Sequence, residues 1–254
     1  MAELLGPWSD GHTHLEQRAS LVKTLTDTHM RTIVNHQSAK EWQWGTQHLQ
    51  GLAKVMRSFG IHPWDSDRYL VSDLKTYYQQ ADVIGEIGLD REWTTIPLAI
   101  QRPIFIAQLQ LAQALQKPVI VHTKGAEAEC LTLLKQYPNR YYIHWYSAEH
   151  YQKEYLAQGY WFSIGPDVFY DTAVQHLATQ VPIERLLLET DGLTSIAWAH
   201  QQNGRAREVS PADWVATLAD MATFIAQLRK TTSKQILRQV DVNLKNFLAG
   251  VNYY

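Results

Sequence analysis

Cysteine is almost missing from this chain. Among 254 residues only Cys130 is present, so no internal disulfide can form and a disulfide scaffold is excluded. Cys130 falls in a stretch with helical spacing, Glu127 to Gln136, where it reads as a small packing residue. A charge excess is missing too: 23 Lys and Arg stand against 25 Asp and Glu, a net charge of −2. Such a chain carries no basic field for coating nucleic acid non-specifically, so an anionic substrate needs metals or a few local cations. No apolar run approaches the roughly 20 residues of a membrane-spanning helix. The opening Met1-Ala2-Glu3-Leu4-Leu5-Gly6-Pro7 lacks the basic start and long apolar core of a signal peptide. A soluble, cytoplasmic protein with no membrane partner is the expectation. Gly/Ser linkers, repeats and low-complexity tracts are absent as well, which favours one domain over residues 1–254. Hydrophobic residues at 45% supply a full core, and charged residues at 19% are too few for disorder.

What the chain does have is alternation. Short β-rich apolar runs occur at Pro7–Thr13, Thr32–Asn35, Lys54–Ile61, Val83–Gly88, Pro118–His122, Tyr141–Trp145, Tyr160–Ile164 and Leu186–Asp191. Helical patterns separate them. Phe105, Leu109 and Ala112 recur at i, i+4 and i+7, a one-sided apolar stripe. Ser210-Pro211-Ala212-Asp213 reads as a helix start, with Ser as cap and Pro at the first helical position. A last helix is expected over Ser233 to Ala249, packed outside the sheet. Eight β/α pairs with mostly apolar strands predict an α/β fold, a single (β/α)8 TIM-type barrel. An open doubly wound sheet is the alternative, and it would spread the polar strand-end residues along a crevice.

Those strand-end residues carry the chemistry. Asp10-Gly11-His12-Thr13-His14 closes the first run. Side chains alternate along a strand, so Asp10, His12 and His14 are expected on one face, and paired imidazoles grip a divalent metal. A polar turn is the bland reading of the same five residues. Glu86 interrupts Val83-Ile84-Gly85-Glu86-Ile87-Gly88; buried and unpaired it would cost several kcal/mol, which a salt bridge or a metal would remove. His122 and His144 end consecutive runs, and Asp191 ends the eighth. Singly, each histidine is more often a hydrogen-bonded core residue than a ligand, and the bland reading of Asp191 is a helix cap or a turn with Gly192. Together they sit at the tips of strands one, four, five, six and eight, which only a closed barrel brings to one mouth.

The ordered motifs Asp10-Gly11-His12-Thr13-His14, Gly60-Ile61-His62-Pro63, Gly85-Glu86-Ile87-Gly88-Leu89-Asp90, Pro118-Val119-Ile120-Val121-His122 and Leu188-Glu189-Thr190-Asp191 resemble those of TatD-type metal-dependent hydrolases, within the amidohydrolase superfamily. The resemblance spans about Ser9 to Phe247. It implies a distorted (β/α)8 barrel, a divalent-metal centre and hydrolysis, in characterised members often of DNA phosphodiesters from the 3′ end. It makes His12, His14, Glu86 and Asp191 ligands of one metal, with Glu86, His122 and His144 holding a second. Charge counting agrees: two divalent ions against Glu86, Asp191 and a hydroxide leave room for one phosphodiester oxygen. Such ions lower the pKa of water from near 16 to roughly 7. Imidazole and carboxylate ligands suit Zn, Mn, Co or Ni, and Mg less well.

Asp191 is then the expected proton acceptor and Glu86 the bridge, with Asp10 behind them orienting an imidazole. Substrate contacts are expected from His62, Lys124, Arg91 and Arg205, with Arg207 in the same loop as Arg205. Trp64, Trp93, Trp145 and Trp198 follow strand ends, where they stack nucleobases or merely pack loops. The chain departs from the family pattern at Trp145-Tyr146-Ser147-Ala148, at Gly192-Leu193-Thr194-Ser195 and at Gly204-Arg205-Ala206-Arg207-Glu208. These stretches lie at the rim, where specificity resides. The expected activity is a metal-dependent deoxyribonuclease acting on DNA ends or single strands. The alternatives are an amide or ester hydrolase, aminoacyl-tRNA deacylation included, or a silent metal- and DNA-binding subunit.

Overall fold

The eight apolar runs become eight parallel strands in one sheet, ordered β1-β2-β3-β4-β5-β6-β7-β8. The computed structural model describes residues 7–251; the opening stretch read for a signal peptide lies, over residues 1–6, outside them. The strands are β1 (Ser9–Thr13), β2 (Arg31–His36), β3 (Val55–Phe59), β4 (Val83–Gly88), β5 (Val119–His122), β6 (Tyr141–Ile143), β7 (Trp161–Ile164) and β8 (Leu186–Leu188). Helices lie between and after them: α1 (Ala19–Thr28), α2 (Ala39–His48), α3 (Lys75–Gln80), α4 (Leu98–Leu115), α5 (Glu127–Gln136), α6 (Gln152–Leu156), α7 (Thr172–Gln180), α8 (Leu193–Gln202), α9 (Pro211–Leu228) and α10 (Ser233–Phe247). The Asp191 backbone N–H donates to the His12 carbonyl at 3.0 Å, which draws the two edges together into a nearly closed TIM barrel. No helix among the described residues is long and apolar enough to cross a membrane.

Local chemistry explains the elements. The α9 start is capped as its sequence predicts: Asp213 accepts from the Ser210 backbone N–H at 2.7 Å, and Pro211 needs no partner at the first position. Phe105, Leu109 and Ala112 form the buried face of α4. On β5, Val119 and Val121 turn outward into the main core with the helices, while Ile120 turns inward.

The inward residues form layers. Ile33, Met56, Val83, Ile120, Tyr142, Trp161 and Leu187 make a separate apolar cluster, one from each of β2 to β8. Leu244, Phe247 and Leu248 join this cluster, and the Phe247 ring meets Tyr142 and Trp161 at 5.6 Å each. The last helix packs outside the sheet as expected, lying against α9 and β8, and its end also seals the lower mouth. Two residues further along the strands, where the alternation returns inward, stand Asn35, Ser58, His122, His144, Ser163 and Glu189. An apolar floor therefore carries a polar layer.

Two strands break the alternation. The β1–β2 register shifts between Asp10 and Thr13, and the β4–β5 register between Ile84 and Ile87. Irregularities of this kind re-aim side chains next to functional sites. Here they let His12 and Glu86 face the polar layer.

Candidate metal centre

Glu86 is the hub of the polar layer. It is 3% exposed, and four imidazoles surround it. His122 Nδ1 lies 2.8 Å from its Oε1, His144 Nε2 at 3.4 Å and His62 Nε2 at 3.6 Å, with His12 Nε2 at 3.5 Å from Oε2. Asp191 is the second acid: its Oδ1 stands 3.2 Å from His12 Nε2 and 3.5 Å from His14 Nε2. The imidazoles also meet one another, His12 and His144 having ring centroids 4.3 Å apart. Burial alone would raise both acids, but the histidines reverse the sign. His144, His62 and His122 hold Glu86 well below the usual carboxylate range. The facing imidazole of His12, with the nearby His144 and His14, holds Asp191 at about 2. Burial lowers His14 and His62 toward the neutral imidazole.

These side chains suit a cation. Donor atoms of three overlapping groups lie within 4.8 Å of one another: His12 with Glu86 and His144, His12 with His14 and Asp191, and His62 with Glu86 and His122. Two ligands about 2.0–2.1 Å from one ion stand about 3–3.5 Å apart, the spacing seen around both acids. His12 Nε2 and Asp191 Oδ1, 3.2 Å apart, are both buried without a hydrogen-bond partner, a costly arrangement that a bound ion would relieve.

Further acids behind the histidines set their tautomers. Glu189 is fully buried; its Oε2 takes His144 Nδ1 at 2.9 Å and the Tyr142 hydroxyl at 2.5 Å, and its Oε1 accepts the Trp145 backbone N–H at 2.7 Å. With Nδ1 donating there, the neutral ring needed for metal ligation keeps its lone pair on Nε2, toward Glu86. Burial opposes a charged His144, yet Glu189 and Glu86 push it up to about 10. Asp90 treats His122 in the same way, its Oδ2 lying 3.0 Å from Nε2, and the Asn35 amide meets His14 Nε2 at 3.4 Å. The sequence reading assigned no role to Glu189, Asp90 or Asn35. Glu189 had a signal: it lies two residues beyond Leu187, so strand alternation points it inward among the site residues.

The strand-end residues His12, His14, Glu86, His122, His144 and Asp191 are thus brought together, and His62 stands among them. Asp10 is not with them. Its carboxylate accepts from the backbone N–H groups of His12 at 3.3 Å and Thr190 at 3.1 Å, from the Thr190 hydroxyl at 2.5 Å and from the Trp214 indole at 2.6 Å. The expectation that it orients an imidazole is corrected. The β1 irregularity turns it toward α9, where it ties the His12 strand to the Thr190-Asp191 strand end. Burial pushes Asp10 up to about 7.

Above the cluster lies a cavity of about 530 Å³. Lys124 is the one Lys or Arg lining it among the described residues, with Nζ 2.9 Å from the Ser147 hydroxyl. Arg91 and Arg205, expected as substrate contacts, are exposed and do not line it. Arg91 turns out to Glu129 on α5, 3.4 Å away, and Arg205 lies in the loop after α8. Arg207 pairs with Asp213 at 2.7 Å. Trp64, Trp93, Trp145 and Trp198 all line the cavity.

Comparison with known proteins agrees with this geometry. The family model described as TatD related DNase matches residues 9–249. An uncharacterized metal-dependent hydrolase, YcfH of Escherichia coli strain K12, is 30% identical over 214 residues, covering 78% of this chain and 80% of that protein. Human deoxyribonuclease TATDN3 is 27% identical over 197 residues, covering 72% of this chain and 68% of the human one. Among solved structures, the TatD homolog YjjV of Escherichia coli K12 superposes with a TM-score of 0.77 at 20% identity, covering 98% of this chain and all of the other. That last likeness concerns the fold.

Proposed function

Because the chain belongs to the TatD-related DNase family and is a metal-dependent hydrolase, we propose that it is a phosphodiesterase, a deoxyribonuclease trimming DNA ends or single strands in the 3′ to 5′ direction. The observation that carries this reading is the set of three overlapping donor groups around Glu86 and Asp191 at the barrel mouth. Two divalent ions are the matching cofactor. His12, His14 and Asp191 would hold one, with Glu86 between it and a second held by His122 and His144, and His62 is within reach of the same carboxylate. The imidazole-rich set suits Zn, Mn, Co or Ni over Mg. Divalent ions bound here supply Lewis acidity, which makes water nucleophilic near neutral pH and neutralises charge on phosphoryl oxygens.

The chain's own residues do the rest. Asp191 is ionised at neutral pH, and its Oδ1 has no hydrogen-bond partner. It is free to take the proton of the attacking water, while Ser195 Oγ donates to Oδ2 at 2.8 Å and fixes the carboxylate plane. Glu86 stays ionised and keeps the histidines facing one point. Lys124 offers a positive charge at the rim for a second phosphate oxygen. The barrel mouth admits a strand terminus more readily than the middle of a duplex.

The experiment is cleavage of end-labelled single-stranded DNA. Activity is expected to vanish with chelator, to return with Mn or Co, and to fall by about 10²–10⁴-fold in Asp191→Asn, the usual size of a general-base contribution. Full activity in Asp191→Asn would remove it from the mechanism. Hydrolysis of carboxyl esters without phosphodiesters would overturn the substrate class.

A further inference from the structure

Aromatic rings form an arc over the centre, and the arc begins and ends on its histidines. The His62 ring meets Trp64 at 4.8 Å; Trp64 and Trp93 lie nearly parallel at 11° with centroids 6.5 Å apart. Trp93 meets Trp198 at 5.3 Å, Trp198 meets Trp145 at 6.2 Å, and Trp145 meets His144 at 6.2 Å. All four indoles line the cavity. Core packing does not account for Trp64 and Trp93, which are 43% and 48% exposed and stand among the few exposed large apolar side chains of the described residues. Nor is the arc loose. The Trp64 indole donates to Asp90 at 2.7 Å, and Asp90 also holds His122. At the other end, Gly165 lies beneath the Trp145 ring, where a Cβ would come within 3.0 Å.

We infer that this tryptophan arc is a stacking subsite for an unpaired nucleobase of a single DNA strand whose phosphodiester lies at the metal centre. The inference rests on the phosphodiesterase reading and adds how the strand is gripped. Net charge and rim composition make stacking the available source of affinity. The chain is net negative, and among the described residues Lys124 is the one Lys or Arg lining the cavity, so away from the metal centre backbone electrostatics contribute little. Indole faces accept any base, at a gain typical of stacking platforms.

The test is quenching of intrinsic tryptophan fluorescence by a deoxycytidine 12-mer and by a 12-mer with abasic residues at its 3′ end. Titration is done with Zn-loaded protein on strands whose 3′-terminal linkages are phosphorothioates, so that binding is read before cleavage. The intact strand is expected to bind at least tenfold tighter than the abasic one. Trp93→Ala and Trp198→Ala should each erase most of that difference, with unchanged thermal unfolding as the folding control. Trp93 is the decisive position because its exposed ring has little packing to lose. Equal affinity for intact and abasic strands, or an unaltered difference in a folded Trp93→Ala protein, would overturn the inference. Hydrolysis of bis(p-nitrophenyl) phosphate by the metal-loaded wild-type protein separates the two readings. If it fails, the phosphodiesterase reading falls; if it proceeds while abasic strands bind equally well, only the stacking subsite falls.

Discussion

Replacing Glu189 by glutamine should loosen the grip on cations without touching any residue that faces them. The carboxylate accepts three hydrogen bonds, from His144 Nδ1, the Tyr142 hydroxyl and the Trp145 N–H. A glutamine has one acceptor oxygen and one donor NH2 in the same volume. Pointed at Trp145, the NH2 faces another donor. Pointed at His144, it faces two donors, and the ring relieves the conflict only by moving its proton to Nε2. That proton blocks the lone pair facing Glu86. Either orientation leaves a fully buried polar group unsatisfied, a cost of about 1–3 kcal/mol. Partners behind a ligating histidine typically matter about 10- to 100-fold in metal affinity, about 1.4–2.7 kcal/mol. The assay is competition for Zn or Co against a chromophoric chelator, beside a thermal melt of the metal-free protein. Tyr142→Phe is the control: it removes one donor and leaves the His144 tautomer intact, so its metal affinity should fall less. Wild-type affinity in Glu189→Gln, or an equal loss in Tyr142→Phe, would refute the tautomer reasoning.

Three other outcomes are expected. Divalent metal at about 100 times its Kd should stabilise the native state by about 2.7 kcal/mol, raising the melting temperature by several degrees, and excess chelator should reverse this; equal melts with and without metal would contradict the proposed centre. Gly88→Ala should unfold or severely destabilise the protein, because the new Cβ would lie 1.9 Å from the His122 carbonyl oxygen in the very ladder that aligns Glu86 with His122; a denaturant melt decides. His36 is held neutral by burial, its pKa lowered to about 3. Its depressed value makes its contribution to stability complete above about pH 6.5 and lost as pH falls toward 3, at about 1.4 kcal/mol per pH unit. Burial moves Asp10 the opposite way, up to about 7, so the wild-type curve mixes two opposed slopes. The readout is therefore the stability difference between wild type and His36→Gln, which should shrink on acidification; a pH-independent difference would contradict the buried neutral ring.

Much of the architecture can be read directly from the chain, because most strands lie in compact apolar runs and α4, α9 and α10 carry a stripe or a cap. The layered interior follows from the same alternation: Ile120 and His122, or Tyr142 and His144, repeat every second residue. What period-two reasoning misses is where the period breaks. Asp10 and His12 are two apart, yet a register shift sends one to the helix layer and the other to the centre. Arg91 and Arg205 follow strand or helix ends in sequence, but pairing with Glu129 and the course of the loop carry them away, and a linear chain gives no sign of that. Glu189 was hidden for a different reason. It stands two residues before the more conspicuous Asp191, which draws the eye from its alternation with Leu187, and its burial beneath His144 marks it as a supporting carboxylate.

The seal under the barrel has a consequence for how the molecule matures. Every side chain proposed to touch an ion has been synthesised by position 191, yet Leu244, Phe247 and Leu248 complete the floor on which their layer rests. A nascent polypeptide halted before those last aliphatic and aromatic residues would carry the whole chelating set above an unplugged, wettable shaft. Competence to capture a cation is thereby deferred until Leu248 has been added, and a product cut near residue 243 should be recognised by its poor retention of metal rather than by any missing ligand.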